Sequence, residues 1–286
     1  MLIESLKFII YSAIIVVISK YILVTTLRKL AETLNLKPKT VGDIAGYATS
    51  MPELLTIGVS SLNGLIGASI INVLSSNLIN LIQYLASIIL NKNIKAFNNK
   101  AIKIDVILVI ITIILPIILI TINIEVNLGI VPIFIIIYLL FRFLNNNAHK
   151  LYLKKEDKIL ESQIEKEEKW ERGNKKKTIK YTIYLIITGI LLFFIGNLLG
   201  NTLENLCNIF NISQTIIGIL LGFITSIPEL ITFFEAQKHY KKSKKQDDIL
   251  GVVEATNNLL TSNILNLFII QSIGIIIYSI FTWDKK

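Results

Sequence analysis

Thr49-Ser50-Met51-Pro52-Glu53-Leu54 and Thr225-Ser226-Ile227-Pro228-Glu229-Leu230 are one phrase written twice, 176 positions apart, each copy in the middle of a long apolar stretch. A carboxylate in such a setting is costly unless it has a partner, and is by default a functional residue. Proline has no N–H and its ring clashes with the carbonyl four residues back, so Pro52 and Pro228 free backbone oxygens near Ala48 and Ile224. Bare carbonyls at membrane depth are tolerated only where they are buried in protein or line a polar cavity. Thr49 stands four residues and Ser50 three residues before Glu53, so hydroxyls and carboxylate share one helix face. The phrase therefore offers only oxygen, and hard cations such as Ca²⁺ and Na⁺ take oxygen ligands. Ser, Thr and Pro alone are ordinary kink residues of membrane helices, but that explains neither the glutamate nor its repetition.

The surrounding chain is built to cross a bilayer. Of its 286 residues 53% are hydrophobic, and the mean hydropathy of +0.64 is far above that of a soluble domain. Apolar spans of about 20 residues fall near 6–27, 40–61, 65–90, 102–122, 126–144, 179–200, 213–236 and 249–281, the last long enough to bend or break. The expected fold class is an all-α polytopic membrane protein with about eight transmembrane helices. The first stretch contains Lys20 and runs on to Arg28 without a small-residue cleavage site, which argues against a cleavable signal peptide. A lone cysteine, Cys207, cannot form an intrachain disulfide.

Basic residues set the expected orientation. The loops after spans one, three, five and seven hold 25 of the 29 Lys and Arg, whereas the other side has only Lys7, Lys285 and Lys286. By the positive-inside rule, both termini face outward at the plasma membrane and the long charged segment is cytoplasmic. The net charge of +9 is then a topology signal, and no nucleic acid need be invoked. It follows that the second span and the seventh, which carry the two phrases, cross in opposite directions. The halves form an inverted repeat. Its expected parts are a first membrane repeat of five helices at 1–145, a charged cytoplasmic linker at 146–177, and a shortened second repeat of three helices at 178–286.

A second motif follows each phrase: Asn72-Val73-Leu74-Ser75-Ser76-Asn77-Leu78-Ile79-Asn80, and Asn258-Leu259-Leu260-Thr261-Ser262-Asn263-Ile264-Leu265-Asn266. Ser76 and Asn80 are four apart, as are Ser262 and Asn266, so each pair offers two neutral oxygens on one helix face. Polar glue between helices is the ordinary role of such residues. Two copies, each downstream of a Pro-Glu kink, favour a site.

This order of motifs, twice and in opposite orientation, resembles the α-repeats of the calcium/cation antiporter superfamily, the sodium/calcium exchangers and their prokaryotic relatives, over roughly residues 40–85 and 213–270. The resemblance implies a Ca²⁺ and Na⁺ site at the bilayer midplane made of Glu53, Glu229, Thr49, Thr225, Ser50, Ser226, Ser76, Ser262, Asn80 and Asn266. It also implies alternating access in which the spans at 6–27 and 179–200 slide past the core. The chain departs from its relatives in three ways. It stops after the counterpart of the eighth of ten helices, at Trp283-Asp284-Lys285-Lys286, so the second repeat lacks its last two and either a partner or a second copy is expected to cover that face or transport is expected to be poor. Position 266 is Asn where some exchangers carry Asp, leaving two carboxylates, enough to balance one Ca²⁺. Ser75 and Thr261 replace the glycines usual before the Ser-Asn pair, which should hold the backbone less open.

Several charged residues lie outside these motifs. Asp43 and Glu254 are expected to be hydrated near the interface, or else to form a vestibule that concentrates cations, and Lys20 to snorkel or pair with one of them. Leu151, Ile159, Leu160, Ile164 and Trp170 among dense Lys and Glu suggest a charged helix within the linker, with Lys175-Lys176-Lys177 attracting anionic lipid. His149 and His239, in basic loops, are expected to be solvated, as is the loop from Lys238 to Asp248.

These features together describe a secondary cation antiporter that exports Ca²⁺ in exchange for Na⁺. It would use neither a bound cofactor nor ATP, since there is no phosphate-binding Gly-rich loop. It is not expected to be an enzyme: no Ser-His, paired Asp or His-rich signature sits at membrane depth. Two alternatives remain open from the residues, H⁺-coupled exchange in which the glutamates take up protons, and a transport-inactive membrane scaffold or sensor.

Overall fold

The computed structural model describes residues 2–34, 36–62, 66–122, 127–152, 175–210, 214–242 and 249–283. The described residues are helical wherever they are regular. An Ile- and Leu-rich chain in hydrocarbon must satisfy every backbone group internally, and the helix does so within one segment. In chain order the helices are α1 (Leu2–Val17), a π-helical turn (Ile18–Leu23), α2 (Val24–Leu34), α3 (Pro38–Thr49), α4 (Met51–Leu62), α5 (Ile66–Leu90), a 3₁₀ turn (Ile94–Asn98), α6 (Lys100–Thr121), α7 (Ile130–Tyr152), α8 (Lys175–Phe210), α9 (Gln214–Thr225), α10 (Ile227–Lys242), α11 (Ile249–Ile264), a second π-helical turn (Leu265–Ile270) and α12 (Gln271–Trp283).

Seven helical stretches are long and apolar enough to cross a membrane. The eighth expected span, near 40–61, is present as α3 and α4, two helices of 12 residues each, interrupted at Ser50. The symmetric interruption falls at Ser226, between α9 and α10. In both, the serine amide still bonds back to a glycine carbonyl, Ser50 to Gly46 at 3.2 Å and Ser226 to Gly222 at 3.3 Å, and the prolines two residues on supply no donor. The last span runs through as one helical stretch, Ile249–Ile280, with a π-helical turn at Leu265–Ile270. The charged linker helix lies, at 153–174, outside the described residues, as do residues 243–248 of the loop after α10.

Each broken helix packs on the Asn-rich helix of the other half: α3 lies along α11, and α9 along α5. Glycines permit this contact. A Cβ on Gly46 would stand 2.8 Å from the Thr261 Cβ and 2.9 Å from the Asn258 carbonyl; one on Gly222 would stand 2.2 Å from the Ser75 Oγ and 3.0 Å from the Asn72 carbonyl. Thr261 and Ser75 are the residues that stand where the resemblance led us to expect glycine. The space is kept, but the missing Cβ is on the facing helix.

Apolar packing forms two main clusters. One surrounds α5, α6, α7, α11 and α12, with Phe268 edge-on to Phe134 and Phe141 at 5.6 and 5.4 Å between ring centroids. The other is smaller and joins α1 and its π turn to α8, with Ala48, Leu221 and Ile224 from the outer faces of α3 and α9. The crossed helices α3, α9, α5 and α11 lie between these clusters, and the polar residues of both motifs are buried there.

Candidate cation site

Glu53 and Glu229 lie at the start of α4 and α10, one turn past the interruptions, and both are completely buried. The structure brings them together. Glu53 has Glu229 and Thr225 as its electrostatic neighbours, and Glu229 has Ser262 and Thr49. Each glutamate thus faces the threonine of the opposite phrase, as a pseudo-two-fold crossing requires. Ser50 is 2.9 Å from Ser262 across the halves, and the Ser262 hydroxyl donates to the Glu229 Oε1 at 3.0 Å.

The remaining hydroxyls donate to carbonyls of their own helices: Thr49 to Ala45 (2.9 Å), Thr225 to Leu221 (3.0 Å), Ser226 to Gly222 (2.7 Å) and Ser76 to Val73 (3.1 Å). A hydroxyl so oriented keeps oxygen lone pairs for another partner. Asn80 and Asn266 are fully buried on α5 and at the turn after α11; Asn80 donates to the Asn263 Oδ1 (3.2 Å) and Asn266 to the Asn77 Oδ1 (3.5 Å). All ten residues expected at the site are therefore buried at this crossing.

Six further residues belong to the same polar layer. Asn72 donates to Thr56 Oγ1 at 2.9 Å, and the equivalent Asn258 donates to Thr232 Oγ1. Both threonines were legible, since the repeated phrase continues to them: Pro-Glu-Leu-Leu-Thr56 and Pro-Glu-Leu-Ile-Thr232. Asn77 and Asn263 exchange reciprocal side-chain bonds to each other's backbone carbonyls, both at 3.1 Å, and fasten α5 to α11.

The unsatisfied atoms define the chemistry. Glu53 Oε1 and Oε2, Glu229 Oε2, and the Oδ1 atoms of Asn72, Asn80, Asn258 and Asn266 are buried without a protein donor. Every one of these seven is an acceptor. A buried acceptor left alone costs about 1–3 kcal/mol, more if charged. Seven such oxygens, three of them on the two carboxylates, call for a proton, a donor or a cation from outside, and no Lys, Arg or His is among the residues that form this layer. Among the described residues no three His, Cys, Asp or Glu side chains cluster, so the fixed negative charge here is that of the two glutamates. The donor set suits a hard cation.

This geometry sets the context for comparison with known proteins. The family described as sodium/calcium exchanger protein matches residues 5–145 and 180–286, nearly the whole described chain. The chain belongs to the sodium/calcium exchanger family. It is a multi-pass membrane protein. No curated protein matches it. Its fold is shared with solved structures of the sodium-calcium exchanger NCX_Mj. The form soaked with 100 mM Na⁺ and 10 mM Sr²⁺ superposes with a TM-score of 0.58 at 20% identity, covering 97% of this chain and 83% of that one. The form soaked with 2.5 mM Na⁺ and 1 mM Sr²⁺ gives 0.60 at 19% identity over the same shares, 97% and 83%.

Several expectations about this exchanger-family chain need correction. Asp43 is buried and ion-paired. It accepts from Arg142 (2.9 and 3.1 Å), Lys39 (2.9 Å) and Thr261 (2.7 Å), which join α3 to α7 and α11. Glu254 is likewise held by both terminal nitrogens of Arg28, each at 2.6 Å. Lys20 therefore pairs with neither; it is exposed, 5.4 Å over the Tyr21 ring. His149 is buried rather than solvated, with Nε2 2.6 Å from the Oδ2 of fully buried Asp105 and Asn145 donating to the other Asp105 oxygen at 2.9 Å. The other histidine, His239, is half-buried and lines a surface groove.

Proposed function

We propose that this exchanger-family chain is a secondary active antiporter that exports Ca²⁺ in exchange for entering Na⁺ by alternating access, with Glu53 and Glu229 shared by the competing ions. One observation carries the reading: seven oxygen acceptors without protein donors are buried in the polar layer of the crossed helices, and three of them are carboxylate oxygens. Two negative charges neutralise one divalent ion. Thr49, Thr225, Ser50, Ser226, Ser76, Ser262, Asn80 and Asn266 complete overlapping positions, and a Na⁺ occupying one of them competes for the same glutamates. Occupancy by one ion then excludes the other, which couples the two fluxes without ATP.

Purified protein in liposomes tests this directly. Radiolabelled Ca²⁺ uptake should follow an imposed Na⁺ gradient, and Glu53→Gln or Glu229→Gln should abolish it, because each removes half the charge that balances the divalent ion. Flux driven by a pH gradient alone would replace Na⁺ with H⁺ as the coupling ion. Full exchange in either mutant would move the site elsewhere, and no flux under any gradient would leave the scaffold reading.

A further inference from the structure

Lys20 raises a question that the cation site does not answer. It is a charged residue in the middle of an apolar helix, placed on the π-helical turn Ile18–Leu23, and it is exposed. The acids that could have paired with it, Asp43 and Glu254, are held by Lys39 and Arg142 and by Arg28. Beside it runs a groove of about 450 Å³ between the α1–π–α2 helix and α10, lined by Lys20, Tyr21, Arg28, Lys29, Lys238 and His239, with Glu235 the one acid among the described residues of its wall. Glu235 is 3.9 Å from Lys238 and only partly offsets it; Arg28 is balanced by Glu254. Lys20 and Lys29 add positive charge to the same wall, which faces outward from the bundle.

We propose that this groove binds the phosphodiester headgroup of an anionic phospholipid from the leaflet at the basic end of the bundle. The charges are arranged for such an occupant. Lys20 and Lys29 lie nine residues apart on one helix, about 13 Å at 1.5 Å per residue, so they reach different depths of the interface. Lys238 closes the groove from the facing helix. Tyr21 is 64% exposed and presents an amphipathic ring where tyrosines favour the interface. Below the groove α1 offers exposed Val17, Ile14 and Ile10, an apolar track along which acyl chains can lie. A soluble anion would use the charges but not the track. Basic pockets between membrane helices bind anionic headgroups by this chemistry.

Native mass spectrometry of the full chain in detergent, titrated with phosphatidylglycerol or phosphatidylcholine, tests the proposal. The first phosphatidylglycerol should bind at least fivefold more tightly than phosphatidylcholine. The preference should fall below twofold in K20Q/K29Q/K238Q, persist in the charge-conserving K20R/K29R/K238R, and persist in the charge-matched control K95Q/K103Q/K180Q. Equal loss in the control would show a diffuse charge effect and overturn the site. An unchanged preference in the triple Gln variant would also overturn it. Complete displacement of phosphatidylglycerol by millimolar inorganic phosphate would make the groove a site for free anions instead of lipid.

Discussion

Asn72 and Asn258 each give an amide hydrogen to a threonine on the neighbouring helix and retain a buried Oδ1 without a donor. The hydrogen bond fixes the amide plane, so the free oxygen is held in place before any ion arrives. Leucine has nearly the same shape but no oxygen. Asn72→Leu and Asn258→Leu should each weaken Ca²⁺ binding about tenfold, roughly 1.4 kcal/mol, while leaving the melting temperature near that of wild type. Calorimetric titration of purified protein checks this, and an unchanged dissociation constant would remove the asparagines from the site. At this scale the sequence was informative wherever chemistry repeated. Glutamate, hydroxyl and amide recur at fixed offsets, and the ten expected residues are buried at one crossing. It was silent where partners are distant and unrepeated: Asp105 and His149 are 44 residues apart, Asp43 and Arg142 are 99, and Arg28 and Glu254 are 226. Hydropathy alone makes such residues look like hydrated loop charges, because burial of a charge depends on a partner that no local window contains.

The same limit applies to the helices. Proline marked the interruptions in α3–α4 and α9–α10, but the crossing partner of each was not written in the chain. It is permitted by Gly46 and Gly222, whose missing Cβ atoms matter for what lies opposite. Gly46 meets both a side chain and the Asn258 carbonyl, so an added methyl cannot be accommodated by a rotamer change. Gly46→Ala should therefore cost about 1–3 kcal/mol of stability, the usual range for overpacking, and separate α3 from α11 enough to lower Ca²⁺ affinity as well. Thr261→Gly added to Gly46→Ala should fail to restore either property, because the backbone contact remains. Thermal unfolding in detergent and Ca²⁺ titration of the single and double variants check this. Full rescue by Thr261→Gly would mean that the side-chain clash alone mattered and that the two backbones have room to separate.

Across the whole molecule the repeats are alike at the centre and unlike at the ends. Arg28–Glu254 ties α2 to α11, and Asp43 with Lys39 ties α3 to Arg142 in the middle of α7; Lys39, Asp43 and Glu254 lie in the first halves of α3 and α11. In the register of the repeats the counterparts of Asp43 and Glu254 are Ile219 and Ala68, which carry no charge. One end is clasped by ion pairs, and at the other end these positions carry no charged side chain. Removing one member of a buried pair leaves the other charge uncompensated and costs about 3–5 kcal/mol, whereas replacing both by apolar residues can be nearly neutral. Arg28→Met alone should destabilise the protein strongly, and R28M/E254L should recover most of the loss. Overall stability would then be close to wild type in a chain that lacks one of the two ionic ties. In that double variant amide exchange should accelerate in α2 and the first turns of α11 and stay unchanged in α9 and the last turns of α8, because only the basic end has lost an ionic tie. Uniform protection in variant and wild type would mean that apolar packing holds both ends, and that the charge asymmetry between the repeats does not bias which end opens.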